Sequence, residues 1–121
     1  MTTDRPLAVA LENRLMGQGI YVTDWEETDD AIELEYETVA PTSAVTSDEV
    51  GQVLRTLLAV VDERETWTPV TLEATSRTTE GELRGTWRVE AAWFEGLYEE
   101  LDEVEFSSRV LSTVETPSGR S

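Results

Sequence analysis

TSDEVGQVLRTLLAVVDE, residues 46–63, is the stretch that decides the fold, because it defines both the start of a helix and its buried side. Thr46 followed by Glu49 is a capping box, in which each side chain satisfies the backbone amide of the other. Apolar residues then recur at helical spacing. They form one wide face: Val50, Val53, Leu54, Leu57, Leu58 and Val61. The stretch therefore predicts a helix that ends near Glu63 and packs one broad side against the domain.

Two hairpins and two further helices are predicted around this central helix. The predicted elements are a helix at 7–16, strands at 20–25 and 31–39, the helix at 46–63, strands at 70–77 and 82–92, and a helix at about 103–114. The fold class is α+β: an antiparallel sheet of about four strands in two hairpins, with three helices on one face, in the order α-ββ-α-ββ-α. Residues 1–115 are expected to form a single domain and residues 116–121 a disordered C-terminal tail.

The first hairpin has two possible registers. Its second strand alternates apolar residues with glutamates, so one face is buried and the other is exposed to solvent. One pairing places Tyr21 and Trp25 beside the face of Ile32, and a slip of one residue places Ile20 and Val22 there instead. The sequence leaves both registers open.

The second hairpin carries a local excess of positive charge. If Arg77 pairs with Glu82, Leu72 lies opposite Trp87, and three arginines share the outer face. These residues are Arg77, Arg84 and Arg88. They are either an anion-binding or acidic-peptide site or partners in cross-strand ion pairs with Glu73, Glu82 and Glu90. We favour the ion pairs, because the acids lie on the same face.

The charge composition indicates the solvent to which the protein is adapted. All nine basic residues are arginine and none is lysine, against 26 acidic residues, which gives a formal net charge of −17. A compact body with this charge repels itself unless salt screens it. We therefore expect a halophilic protein that loosens below roughly 0.5 M salt. A disordered acidic tail or a DNA mimic is less consistent with acids that are interleaved with apolar residues and four tryptophans.

Several classes of function are disfavoured by what the chain lacks. It has no cysteine and no histidine, which excludes disulfides, thiol nucleophiles, the usual zinc sites and the usual general base. Its acidic clusters lack the spacing of a calcium loop. Neither a signal peptide nor a long apolar segment is evident, so a cytoplasmic location is expected. The acidity disfavours nucleic acids and anionic membranes as partners. We expect no enzyme activity, no metal and no cofactor.

Aromatic and apolar residues late in the chain form the candidate partner surface. The candidate residues are Trp67, Trp93, Phe94, Leu97 and Tyr98. Most of these side chains should be in the core, but a subset left outside would form an apolar patch of the kind that anchors a partner. The sequence leaves core and interface as open alternatives.

Two stretches, GTWRVEAAW at 85–93 and FSSRVLSTV at 106–114, accompany the hairpin of Trp25 and Tyr36. Together they resemble a family of small acidic haloarchaeal domains of unknown function, over most of the chain. The element order is also similar to the type III secretion chaperone-like fold, which implies a helix-flanked sheet that dimerises and holds other proteins. The chain departs from that fold in having only two strands before the long helix. Neither resemblance implies catalytic residues.

The leading hypothesis is a non-enzymatic protein-binding or chaperone-like module that works as a homodimer or with another protein. The alternative is a small-ligand or anion-binding domain that uses the hairpin arginines. A carboxylate-based enzyme is the third hypothesis.

Overall fold

The computed structural model describes residues 7–39, 44–63, 69–97, 99 and 101–116. Four strands and four helices follow one another along these residues. They are α1 (Leu7–Met16), β1 (Ile20–Glu27), β2 (Ala31–Thr38), α2 (Ser47–Asp62), β3 (Thr71–Thr78), β4 (Leu83–Val89), α3 (Ala91–Gly96) and α4 (Glu103–Leu111). The predicted α+β class with four strands in two hairpins is confirmed. The predicted disordered tail lies, from residue 117 on, outside the described residues.

The sheet is mixed, which corrects the expectation of a wholly antiparallel sheet. Its strand order is β1-β2-β3-β4, and β2 pairs with β3 in parallel, with Ile32 opposite Leu72 and Tyr36 opposite Ser76. The 16-residue helix α2 separates these two strands and returns the chain to the end of the sheet from which β2 started. A helical crossover of this length is the usual connection between parallel neighbours, whereas a tight turn joins antiparallel ones.

The number of helices also differs from the prediction. The strand expected at 82–92 ends at Val89, and the chain turns at once into the short helix α3, which buries Phe94. The predicted last helix ends at Leu111 rather than near residue 114, because the chain then returns to the edge of β4. There Thr113 Oγ1 accepts a hydrogen bond from the backbone N–H of Arg88 at 2.8 Å, and Glu115 pairs with Thr86.

A β-bulge combines the two registers that the sequence left open for the first hairpin. Val22 lies opposite Tyr36, but the next pair joins Asp24 to Glu35, so Thr23 is the extra residue. A bulge changes the side to which the following side chains point. As a result, Ile20 and Val22 before the bulge and Trp25 after it all pack against the core.

The second hairpin is displaced by two residues from the expected register. Leu72 lies opposite Val89, not Trp87, and a register shift next to Arg77 leaves Arg84 as the extra residue of β4. Arg84 is fully buried, so the prediction that it shares an outer face with the other arginines is wrong. The bulge, and not the slide, changes the face of Arg84. A slide by two residues leaves the other side chains on their own faces, so the hydrophobic alternation was compatible with both registers.

The helix that the sequence defined most clearly forms as predicted. Thr46 Oγ1 accepts from the backbone N–H of Glu49 at 3.2 Å, and Glu49 Oε1 accepts from the backbone N–H of Thr46 at 3.2 Å. The apolar face of α2 packs against α1 and the inward-facing residues of the sheet, and together they form one core. Within the described residues, no helix is long and apolar enough to cross a membrane.

Candidate functional site

A buried ion pair joins the first turn of α2 to the bulge of β4. Arg84 is fully buried and Glu49 is 2% exposed. Arg84 Nη1 donates to Glu49 Oε1 at 2.6 Å and to Ser76 Oγ at 2.7 Å, and Nη2 donates to the carbonyl oxygen of Ala44 at 2.6 Å. A buried charge is tolerated when it is paired and hydrogen-bonded, and both conditions hold here.

Three neighbouring side chains complete this buried network. Glu49 Oε2 accepts from Tyr36 Oη and from Ser76 Oγ, each at 2.7 Å. Tyr36 Oη in turn accepts from Trp87 Nε1 at 2.9 Å. Burial is the main cause that raises the pKa of the Tyr36 hydroxyl, and the charge of Glu49 adds to it. Tyr36 is therefore a fixed hydrogen-bond donor at physiological pH.

The network is enclosed, and it holds α2 in place. Tyr36, Ser76, Arg84 and Trp87 are each 2% exposed or less, which leaves no surface at which a substrate could reach them. The carboxylate instead ties the N-terminal turn of α2 to β2, β3 and β4. In the described part of the chain, no cluster of three or more acidic side chains has the arrangement of a metal site.

The helix held in this way forms one wall of a large groove. The groove has a volume of about 790 Å³ and lies between α2 and the pair α3 and α4. Among the described residues, its apolar lining is Val50, Leu54, Leu58, Ala59, Val61, Pro69, Phe94, Leu97, Phe106 and Leu111. Its charged lining residues are Arg55, Asp62 and Glu103.

The groove is long as well as apolar. Its α2 wall extends from Ser47 to Asp62, the whole length of that helix. At a rise of 1.5 Å per residue this wall is about 22 Å long. The opposite wall extends along α4 from Glu103 to Leu111, about 12 Å. A site of this shape fits an elongated ligand.

Two residues of the predicted partner surface line the groove. Phe94 is 8% exposed and Leu97 is 6% exposed, so each contributes mainly to the core and presents one edge to the groove. The Phe94 ring packs on Phe106 with centroids 5.8 Å apart. Trp93 is half-buried against the core and does not line the groove. The predicted residues Trp67 and Tyr98 lie outside the described residues.

The three hairpin arginines are not together on one surface. Arg77 forms an ion pair with Glu35, and Arg88 with Glu90 at 3.1 Å. Arg84 is in the buried network. Arg88 pairs with one of the expected glutamates, Glu90, but two residues along its own segment and not across strands, and the other two arginines pair with glutamates of β2 and α2.

The sequence did contain a signal for the groove, which was missed. Residues 50–61 include no acidic residue, although the chain has 26. Solvated helix faces in such a chain should carry acids, and their absence around the whole circumference of α2 indicates a second contact surface beside the core. The buried network had no comparable signal, because the capping box alone already explains Glu49.

Fold and groove together define the class: an α+β domain with a mixed four-stranded sheet and a groove between helices. The chain belongs to the family described as domain of unknown function DUF8159, whose profile matches residues 1–120. No curated protein and no solved structure matches the chain. The expected membership of an uncharacterised domain family is confirmed, whereas haloarchaeal origin and the chaperone likeness stay predictions.

Proposed function

We propose that this protein is a non-enzymatic binding module that holds an amphipathic helical segment of a partner protein between α2 and α4. The observation that carries the proposal is the groove itself, an apolar surface about 22 Å long on a strongly acidic protein. Apolar surfaces that remain accessible on soluble proteins often mark partner sites.

The dimensions favour a polypeptide helix. A helix of about 15 residues is as long as the α2 wall. Such a helix would present apolar side chains at every third and fourth position to the groove, which is an established mode of peptide recognition. Leu58 and Val61 are half-buried, and Leu111 is 36% exposed, so apolar area remains to be covered. Small-molecule sites instead enclose most of the ligand surface.

The alternative, an anion site built from the hairpin arginines, is not favoured by their positions. Arg77 and Arg88 already have carboxylate partners, and Arg84 is buried. A second copy of this chain, in keeping with the predicted homodimer, is the other occupant that the experiment below distinguishes.

A selection of displayed helical peptides tests the proposal. The library fixes an apolar stripe over about 15 residues and randomises the other positions. The groove variant is Leu58→Glu, which places a charge on the lining of α2. Its matched control is Val104→Glu, which makes the same kind of change at a residue of α4 that is 75% exposed and does not line the groove.

Peptides enriched on the wild type should bind Val104→Glu equally well and lose binding to Leu58→Glu. Equal binding to both variants would place the peptide site elsewhere and overturn the proposal, as would a failure to enrich any peptide. Light scattering in high salt gives the oligomeric mass. A dimer that Leu58→Glu alone converts to monomer would identify the occupant as a second copy of the chain.

A further inference from the structure

The α2 wall of the groove has one basic residue. Between Val50 and Val61 the helix contains only Arg55 as an ionisable side chain, and the nearest acids of α2 are in its first turn and at its last residue, Asp62. In a chain with 26 acidic residues, this stretch is a local gap in the negative charge, and it contains one arginine. Arg55 lines the groove at this point.

The guanidinium of Arg55 lies beside a glycine one turn earlier in α2. A Cβ atom at Gly51 would lie 3.0 Å from Arg55 Nη1 and 3.6 Å from its Cζ. Glycine therefore provides the space for the guanidinium beside the helix. Both residues line the groove, so the guanidinium borders the space that a ligand would occupy.

Arg55 and Arg109 are the two arginines without an ion-pair partner among the residues that the structure describes, and of these two only Arg55 lines the groove. Arg14, Arg77, Arg84 and Arg88 each pair with a glutamate. Within the ranges that the structure describes, Arg55 forms no ion pair and donates no hydrogen bond. An arginine at an apolar groove with its donors unused is suited to bind a carboxylate of the ligand in two parallel hydrogen bonds.

We infer that the helical occupant carries a carboxylate side chain beside its apolar stripe, and that this carboxylate pairs with Arg55. The inference rests on the proposed function and specifies its ligand. Asp62 lies about 16 Å farther along the same wall than Gly51, so a carboxylate that pairs with Arg55 is held away from the acidic residue of that wall. The pairing with Arg55 would therefore also set the direction in which the helix lies.

The overall charge makes this pairing selective. A net charge of −17 repels an acidic segment from most of the surface, whereas Arg55, within the acid-free stretch 50–61, attracts it. Specificity of this kind comes from repulsion at wrong positions as much as from attraction at the right one. Arginine is also among the residues that most often dominate interface energetics.

The test repeats the peptide selection on wild type and on Arg55→Gln. Binders of the wild type should carry Asp or Glu at a fixed position beside the apolar stripe, and binders of Arg55→Gln should not. Replacing that acid by Gln in one enriched peptide should weaken binding to wild type about tenfold and leave binding to Arg55→Gln unchanged. The matched control is Arg109→Gln, which removes the same charge from α4 outside the groove lining and should preserve the tenfold difference.

The outcomes separate the inference from the proposed function. Enriched peptides that bind the groove but carry no acid at a fixed position, or whose acid is insensitive to Arg55→Gln, overturn the inference and leave the helix-binding function standing. No enriched peptide on wild type overturns both. Thermal unfolding of Arg55→Gln should match that of wild type, because Arg55 is exposed and contributes no pairing within the described residues.

Discussion

Arg84 Nη1 lies 2.6 Å from Glu49 Oε1, and water reaches neither side chain to a significant extent. The pair joins the bulge of β4 to the first turn of α2. Because α2 forms the long wall of the groove, the geometry of the candidate site depends on a contact on the opposite side of that helix. We therefore expect changes at Glu49 to alter both the stability and the shape of the groove.

We predict that Arg84→Met destabilises the protein by about 3–5 kcal/mol, since it leaves the Glu49 carboxylate buried without its counter-ion. The measurement is the free energy of unfolding by denaturant at fixed salt. The matched control is Arg14→Met, which removes an exposed ion pair to Glu63 whose side chains are 41% and 62% exposed. That change should cost less than about 1 kcal/mol. Similar losses in both variants would contradict the buried pairing.

Tyr36→Phe should lower the free energy of unfolding by about 1–3 kcal/mol at neutral pH. The hydroxyl donates to Glu49 and accepts from Trp87 Nε1, so its removal leaves a buried indole N–H without its acceptor. Tyr21→Phe, at a side chain that is 39% exposed, is the control and should be nearly neutral. Equal effects at the two tyrosines would argue against the network.

The same tyrosine predicts an alkaline loss of stability. Burial raises the folded-state pKa of Tyr36 above its ordinary value of about 10, and the charge of Glu49 adds to the shift. Above that pH the unfolded chain loses a proton that the folded chain retains, so stability is complete below pH 10 and falls as pH rises. The loss from this one group approaches about 1.4 kcal/mol per pH unit.

The measurement is the free energy of unfolding of wild type and Tyr36→Phe as the pH is raised above about 10. The difference between the two should shrink as the pH rises, because only wild type carries this linkage. Folded-state tyrosinate absorbance should be the same in both proteins, since Tyr36 remains protonated while the protein is folded. A constant difference, or a lower tyrosinate amplitude in the variant, would show that Tyr36 ionises in the native state.

Local signals in the sequence predicted the elements well. The stripe of α1 and the capping box of α2 fixed both helices to within a residue or so, because caps and periodicity are properties of neighbouring residues. The alternation in β2 likewise identified its buried face. Of the groove, only Phe94 and Leu97 were anticipated, as members of an aromatic surface.

The errors concern relationships between distant residues. Parallel pairing of β2 with β3 depends on the end of the sheet to which α2 returns the chain, and no local sequence pattern indicates that end. The inward turn of Arg84 depends on a bulge, and its burial depends on a carboxylate 35 residues away. A buried charge contradicts the usual distribution of arginine, so residue type pointed to the surface.

Gly85→Ala should destabilise the fold through a backbone collision. A Cβ atom at Gly85 would lie 2.7 Å from the carbonyl oxygen of Glu115 and 2.9 Å from Val45 Cγ2. The carbonyl belongs to the segment that pairs with Thr86, so relief requires that pairing to open. We expect a loss of about 1–3 kcal/mol, as for overpacked sites. Gly17→Ala, whose nearest contact would be at 3.8 Å, is the control and should change stability far less.

Salt dependence should be traceable to one row of the outer sheet face. Glu33 of β2 lies opposite Glu26 of β1 on one side and Glu73 of β3 on the other, so three carboxylates are in lateral register. Like charges directly opposite each other destabilise a sheet. Glu33→Gln should therefore raise the free energy of unfolding by about 0.5 kcal/mol in dilute buffer.

That gain should vanish in molar KCl, where the screening length falls to about 3 Å and wild type itself should melt at a higher temperature than in dilute buffer. Glu35→Gln is the control on the same strand, because Glu35 forms an ion pair with Arg77, and its loss should bring no gain. Both variants remove one negative charge, so a difference between them reports the local row and not the net charge. If the two variants gain equal stability at low salt, the repulsion is a property of the whole molecule. If wild type melts at the same temperature in both buffers, the expected salt adaptation is wrong.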